Sequence, residues 1–337
     1  MNHKKGIFYL CLLMFLAMFL IPFLSMGKSV PQSRSSSPVS SETSSFTSSE
    51  ETPSGPSFKI LDTSQNRVLT VADRDFLYST VAAEMSPEAE PEALKAQAVA
   101  AYTYYSRQRE QQRANPSSSL RGADFSADTQ NWNCYVTKEE MQEKWQDSFD
   151  GYYSKLTSAV DAVFGQTLRY DGELIDATYF AISSGNTEAS VDVWGGNCPY
   201  LASVASPGDV FAGGYQTEVT LTEDQLRNDT LQEAPKADFS PDAAQWVGAV
   251  ERTAAGAVKT IVIGGQKLTG NQARSAFGLR SANFTVSFAD GNFTFVVKGY
   301  GHGVGMSQIG AEYMASEGSD YQQILSWYYP GTSLSKA

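Results

Sequence analysis

The stretch from Lys28 to Ser57 decides where this 337-residue chain can begin to fold. It is built mainly of Ser, Thr and Pro, with Glu42, Glu50 and Glu51, and Phe46 is its only aromatic residue. Such a segment buries too little surface to offset the entropy lost on ordering, so residues 28–57 are expected to form a disordered linker. Ahead of it, Lys4 and Lys5 precede an uncharged apolar run from Ile7 to Leu24, broken only by Pro22. A run of this length is at the lower edge for crossing a ~30 Å hydrocarbon core. The lysines sit on the side expected to stay cytoplasmic. Residues 1–27 therefore read as an N-terminal transmembrane helix, or as a signal segment cleaved near Ser25-Met26-Gly27. Either reading delivers residues 58–337 outside the cytoplasm, anchored in the cell membrane or secreted.

Charge divides along the same boundary. Residues 1–57 hold Lys4, Lys5, Lys28 and Arg34 against three glutamates, a balance of +1, so the folded part carries -13 of the total of -12. That acidity argues against a nucleic-acid partner, which calls for a basic face. Three cysteines are too few for a disulfide scaffold. Two histidines, His3 and His302, cannot build a multi-histidine zinc site within one chain. Hydrophobic residues at 42% and aromatics at 12% suit a globular domain.

From Phe58 onward the patterns alternate between short strands and helices. Phe58–Leu61 and Arg67–Val71 read as strands around a turn. Asp73 reads as the cap of a helix that Ser86-Pro87 stops. Pro91 suits the first turn of a second helix, with Leu94, Ala98, Ala101 and Tyr105 as its apolar stripe. Its end, Arg107 to Arg113, reads as a solvated charged tail. Residues 114–133 read as polar turns, and Lys138–Trp145 and Ser154–Val163 as helices. Strands follow at Thr167–Tyr170, Leu174-Ile175 and Ala177–Phe180. Val258–Ile263 and Gln266–Leu268 read as a hairpin, and Thr285–Phe288 pairs with Phe293–Val297 across Asp290-Gly291. Met306–Glu317 and Tyr321–Trp327 are helix candidates. Helices separated from antiparallel strands indicate an α+β fold.

Three blocks stand out. The first is Val81-Ala-Ala-Glu84-Met-Ser-Pro with Glu92-Ala-Leu-Lys95-Ala-Gln97 through Ala101-Tyr102-Thr103-Tyr104. The second runs from Ala177-Thr-Tyr179 through Ser183, Gly185, Thr187 and Glu188 to Trp194-Gly-Gly, Pro199-Tyr200-Leu201 and Ser206-Pro207-Gly-Asp209. The third is Gly299-Tyr-Gly-His302-Gly-Val-Gly-Met-Ser-Gln308-Ile-Gly310, ending near Trp327-Tyr328-Tyr329-Pro330. In this order they resemble the stage II sporulation protein D (SpoIID) family, over essentially Phe58 to the C-terminus. Gly270–Arg274 and Gly278–Ser281 also look like that family.

The resemblance implies a SpoIID-type domain of helices and antiparallel strands with peptidoglycan lytic transglycosylase activity. The bond between N-acetylmuramic acid (MurNAc) and N-acetylglucosamine (GlcNAc) would be cut without water, leaving a 1,6-anhydro ring. The family's essential acid matches Glu84. Substrate contacts are expected from Lys95, Gln97, Tyr102, Tyr179, Ser183, Gly185, Thr187, His302 and Gln308, with Trp194 and Tyr200 as candidate stacking rings. No cofactor is implied. Family members work on glycan strands stripped of stem peptides, which implies a cell-wall amidase as partner and a role during sporulation. A non-catalytic glycan-binding enhancer of such an amidase is the alternative.

Two departures from the family pattern bear on this. Tyr102 stands where many members have arginine. Some members bind zinc near the position of Cys134, where this chain has no neighbouring histidine, so no metal is expected. Cys134 and Cys198 remain open between a disulfide and two thiols.

The chemistry can be read independently of the resemblance. A hydrolase needs two carboxylates, whereas a transglycosylase can work with one. That one must be partly protonated at working pH, which calls for a desolvated carboxyl. Glu84 lies between Val81-Ala-Ala and Met85, an apolar setting at a helix end.

Overall fold

A computed structural model describes residues 55–127 and 134–336. The expected membrane segment, and all but the last residues of the expected linker, lie outside the described residues. Among those described, no helix is long and apolar enough to cross a membrane.

The first hairpin forms as its sequence dictates. β1 (Ser57–Asp62) pairs antiparallel with β2 (Arg67–Ala72), Phe58 opposite Val71 and Leu61 opposite Val68. The Asp62 carboxylate organises the turn, accepting from the backbone N–H groups of Ser64 at 3.0 Å and Gln65 at 3.3 Å. Helix α1 (Asp73–Glu84) follows directly. Asp73 does not cap it, contrary to the sequence reading: Ala72 occupies that position with no side-chain hydrogen bond. Instead Asp73 is buried, accepting from Arg109 at 2.8 Å and from the Tyr102 hydroxyl at 2.9 Å. A guanidinium and a phenol inside the fold hold a carboxylate more strongly than the exposed N–H groups of a helix end.

Helix α2 (Pro91–Ala114) starts with proline in its first turn, as expected. Its predicted stripe is buried, but so are Ala93, Ala96, Val99 and Ala100 on other faces. The helix is thus central, and its alanines let neighbours approach from several sides. Its arginine-rich end is not a solvated tail. Arg107 Nε donates to the Leu174 carbonyl at 3.1 Å, Arg109 holds Asp73, and Arg113 Nε meets the buried Asp124 at 2.8 Å. These charges are consumed as clamps between elements.

β3 (Phe125–Ala127) then runs parallel to β1, giving the order β2-β1-β3. α3 (Lys138–Trp145) begins with a reciprocal capping box between Thr137 and Glu140, and α4 (Phe149–Val163) packs on the same core. β4 (Gln166–Tyr170) and β5 (Glu173–Leu174) form a short sheet, completed at the far end of the chain. β6 (Tyr179–Phe180) and the one-turn helix α5 (Ser190–Val193) lead out of this region.

A second core is built entirely from the middle of the sequence. β7 (Gln216–Thr222), α6 (Glu223–Glu233), β8 (Val247–Arg252), β9 (Val258–Ile263), β10 (Gln266–Thr269), α7 (Gly270–Ala276), β11 (Phe284–Ala289) and β12 (Asn292–Lys298) enclose it. Two antiparallel sheets, β11-β12-β7 and β10-β9-β8, contribute Phe284, Phe295, Ile261 and Leu268. Asp290 at φ 51° and Gly291 at φ 74° form the turn between β11 and β12, both left-handed as a tight hairpin requires.

The chain then returns to the first core. β13 (Met306–Ser307) pairs parallel with β6, with Met306 opposite Tyr179. This strand takes the first two residues of the expected 306–317 helix, which starts only at α8 (Gln308–Ser316). α9 (Tyr321–Tyr328) and β14 (Ser333–Lys336) follow, and β14 closes the β14-β4-β5 sheet. The class is α+β as expected, its sheets antiparallel apart from the β1/β3 and β6/β13 pairings.

Candidate active site

Glu84 is the last residue of α1, where Met85 leaves the helix in extended conformation. From across the fold, the first residue of α8 reaches it: Gln308 Nε2 donates to Glu84 Oε2 at 3.3 Å. Glu84 lines hollows on two sides. One is a cleft of about 660 Å³ shared with Tyr104, Tyr179, Arg274, Tyr300 and His302. The other, of about 230 Å³, is shared with Met85, Ala89, Ile309 and Glu312. Among the described residues no cation pairs with Glu84. Burial therefore dominates and pushes its carboxyl up to about 7, against the smaller opposing pull of the Gln308 hydrogen bond. No second carboxylate lines the larger cleft among the described residues. On the smaller side, Glu88 accepts from the Tyr152 hydroxyl at 2.7 Å and Glu312 from the Glu90 N–H at 2.7 Å.

The glycine-spaced run builds the facing wall. It lies so close to β6 that side chains are excluded at alternate positions. At Gly301 (φ 117°) a Cβ would stand 2.7 Å from Phe180 Cβ, and at Gly305 (φ 84°) it would stand 2.0 Å from the Thr178 carbonyl oxygen. The residues between them are thereby aimed. Tyr300 and His302 line the cleft, while Val304 and Met306 enter the core.

His302 is a strut, not a proton carrier. The Val304 N–H donates to its Nδ1 at 3.2 Å, so its Nε2 carries the proton and donates to the Tyr179 carbonyl at 3.1 Å. Both nitrogens are spent on backbone. Burial and the nearby Arg274 charge push its pKa down to about 4, so the ring stays neutral. It stands between Phe180 and Trp194, with ring centroids at 5.6 and 5.3 Å. Beyond it lies a neighbouring cavity of about 420 Å³, lined by Ser183, Glu188, Trp194 and Lys259 among others.

Of the residues the sequence nominates, the structure brings Glu84, Tyr179, His302 and Gln308 together. The Tyr179 phenol is held well above its ordinary pKa by burial, so it acts only as a neutral group. The others lie elsewhere. Lys95 pairs with Glu92 beside Tyr321 on the outer part of α2. Gln97 is fully buried in the first core, its amide meeting no partner among the described residues. Tyr102 points away from the cleft onto Asp73 and Phe58. The arginine-to-tyrosine departure therefore does not touch Glu84. Ser183 is buried and lines only the neighbouring cavity, its N–H bound to Asp209 at 2.7 Å. Gly185 turns the chain at φ 111°, and Thr187 Oγ1 accepts from the Val204 N–H at 2.9 Å. These last three shape a loop. Trp194 is 46% exposed at the cavity mouth, whereas Tyr200 is a buried plug that accepts from the Asp176 N–H at 3.2 Å. Cys134 and Cys198 are both free thiols.

Among the cleft residues not nominated are three with polar side chains that bear on chemistry: Tyr104, Arg274 and Tyr300. All sit inside segments that carry the family resemblance. Helical phase separates Tyr104 from Tyr102, since two positions along a helix rotate a side chain by about 200°.

The cleft around the one desolvated carboxyl is thus walled largely by aromatic side chains and assembled from the three sequence blocks. Comparison with known sequences agrees with the resemblance. The sequence model of the Stage II sporulation protein family (SpoIID) matches residues 62–170. Stage II sporulation protein D of Bacillus amyloliquefaciens is 36% identical over 282 residues, covering 83% of this chain and 79% of that protein. Its counterpart in Bacillus subtilis (strain 168) is 34% identical over the same coverage. The Amidase enhancer of Bacillus subtilis is 28% identical over 54% of this chain and 32% of its own length. The chain belongs to the SpoIID family.

Proposed function

We propose that this protein is a peptidoglycan lytic transglycosylase with Glu84 as its one general acid and base. The observation that carries the reading is a carboxyl held near pKa 7 in a cleft that presents no second carboxylate among the described residues. The neutral form of Glu84 donates its proton to the glycosidic oxygen between MurNAc and GlcNAc. The C1–O bond breaks, and GlcNAc departs with a free 4-hydroxyl. The 6-hydroxyl of the same MurNAc attacks C1, and the Glu84 carboxylate takes that hydroxyl's proton. The product is a 1,6-anhydro ring, no water is consumed, and Glu84 is protonated again for the next cycle. A pKa near 7 keeps both forms of the acid populated at neutral pH.

Where the chain acts follows from its N-terminal sequence: residues 7–24 would hold it at the membrane, or a signal would release it, with the domain outside the cytoplasm. The relative named Amidase enhancer supports an association with a cell-wall amidase, which strips stem peptides before the glycan is cut. Incubating the full chain with denuded glycan and weighing the products tests the reading. Ends one water lighter than hydrolysis products are expected, with Glu84→Gln lowering the rate by about 10³-fold. Ordinary reducing ends would mean hydrolysis. Glycan binding with no cleavage, together with stimulation of an amidase, would favour the enhancer role.

A further inference from the structure

Among the described residues that line the cleft, Arg274 is the one cation. It stands on α7, a short helix whose start is fixed by a reciprocal capping box between Thr269 and Gln272. Most other described arginines are engaged, and Arg67, which is not, is exposed on β2. Arg74, Arg109, Arg113 and Arg227 pair with carboxylates, and Arg107, Arg169, Arg252 and Arg280 donate to carbonyls. The Arg274 guanidinium is half-buried and meets no acceptor among the described residues. Its surroundings are the rings of Tyr300 and His302, the first of which Arg280 already covers at 4.1 Å. Burial holds its pKa below the ordinary value, with no carboxylate to offset the loss of water. Nor does Glu84 relieve it: the Glu84 carboxyl is shifted by burial and Gln308, not by a neighbouring cation. Both groups line the same cleft without pairing with each other.

A half-desolvated guanidinium without an anion is ready for one brought by the ligand. On a MurNAc unit the reacting oxygen is at C1, and the lactyl ether is at C3 on another side of the ring. In a strand carrying stem peptides the lactyl carbonyl is an amide, neutral and followed by a bulky chain. Once the peptide is removed, that carbonyl is a carboxylate. We propose that Arg274 is the binding site for the free lactyl carboxylate of MurNAc, so that this one side chain reads whether the stem peptide has been taken off. The proposal rests on the glycan reading above and adds to it the residue that sets specificity.

Binding measured on the full chain carrying Glu84→Gln separates recognition from cleavage. Three probes of equal length suffice: a denuded glycan oligosaccharide with free lactyl groups, the same oligosaccharide with each lactyl group converted to its methylamide, and a GlcNAc-only oligomer. The free acid is expected to bind about tenfold more tightly than the methylamide at low salt. Adding Arg274→Gln should bring the free acid down to the methylamide, and Arg274→Lys should keep part of the preference, with thermal melting confirming that each variant folds. A preference unchanged in Arg274→Gln, or equal binding of all three probes, would overturn the proposal while leaving glycan binding intact. No binding to any probe would overturn the glycan reading itself, and this proposal with it.

Discussion

At the scale of single residues, the cost of the site can be measured. Glu84 has a folded pKa near 7 against an ordinary 4.5. A raised carboxyl pKa means the folded state keeps its proton longer than the unfolded chain. Stability is then full below pH 4.5, declines from there to pH 7, and above pH 7 is lower by about 3 kcal/mol. Glu84→Gln, of equal size and without charge, should recover most of that at pH 8 and change little at pH 4, as urea denaturation at the two values would report. Wild-type kcat/KM should fall about tenfold per unit above pH 7, because the first step needs the proton. A flat profile from pH 6 to 9 would remove Glu84 from the acid role. Tyr102 gives the contrasting case. Tyr102→Phe removes one of the hydrogen bonds to Asp73 and should cost about 1 kcal/mol in denaturation, with glycan affinity unaltered. Reduced affinity at undiminished stability would return that position to the site. That Glu84 and His302 line one cleft is foreshadowed by the motifs around them, whereas the backbone bonds that occupy both His302 nitrogens are not. Tyr104 was not legible, because two tyrosines on one helix differ only in phase, and phase is fixed by what packs around α2. Arg274 was hidden for another reason: a single arginine in a short helix shows nothing of its missing partner until the fold is known.

At the scale of elements, periodicity carried most of the secondary structure, and packing explains the exceptions. The hairpins were readable from turn chemistry such as Asp290-Gly291, whose left-handed backbone few other pairs adopt. β3 is not announced by its own sequence, because its partner β1 lies some 65 residues earlier, as the Ile60 to Phe125 register shows, and nothing local marks a parallel pairing. The clamping role of the α2 tail is hidden for the same reason, since the groups it holds, Asp73, Asp124 and the Leu174 carbonyl, belong to other elements. The glycine run makes the strongest element-level prediction. At Gly305→Ala the new Cβ would meet the backbone oxygen of Thr178, and the left-handed backbone adds strain. The expected loss is roughly 3 kcal/mol in urea denaturation, with separation of β13 from β6 and loss of the wall facing Glu84. A loss under about 0.5 kcal/mol, the range of an ordinary surface change, would show that the wall yields.

At the scale of the whole molecule, the second core is an insertion between two parts of the first. Residues of the first core come from both ends of the folded region, while those of the second all lie between Leu221 and Val297. The α+β class was legible from the order of elements, but not this division, since apolar strands look alike whichever core they join. The cleft draws Glu84 from the early part of the first core, Arg274 from the second, and Tyr300 and His302 from the return segment. The contact between Glu84 and Gln308 spans 224 positions of sequence. That separation has a meaning in time. A chain emerging at roughly 5–20 residues per second exposes its acid for on the order of ten seconds before Gln308 has been made. Through that interval the carboxyl sits in water, near its ordinary pKa and without walls around it. The site around Glu84 is thus incomplete while the chain is nascent, and it is assembled only when the last two helices close the fold.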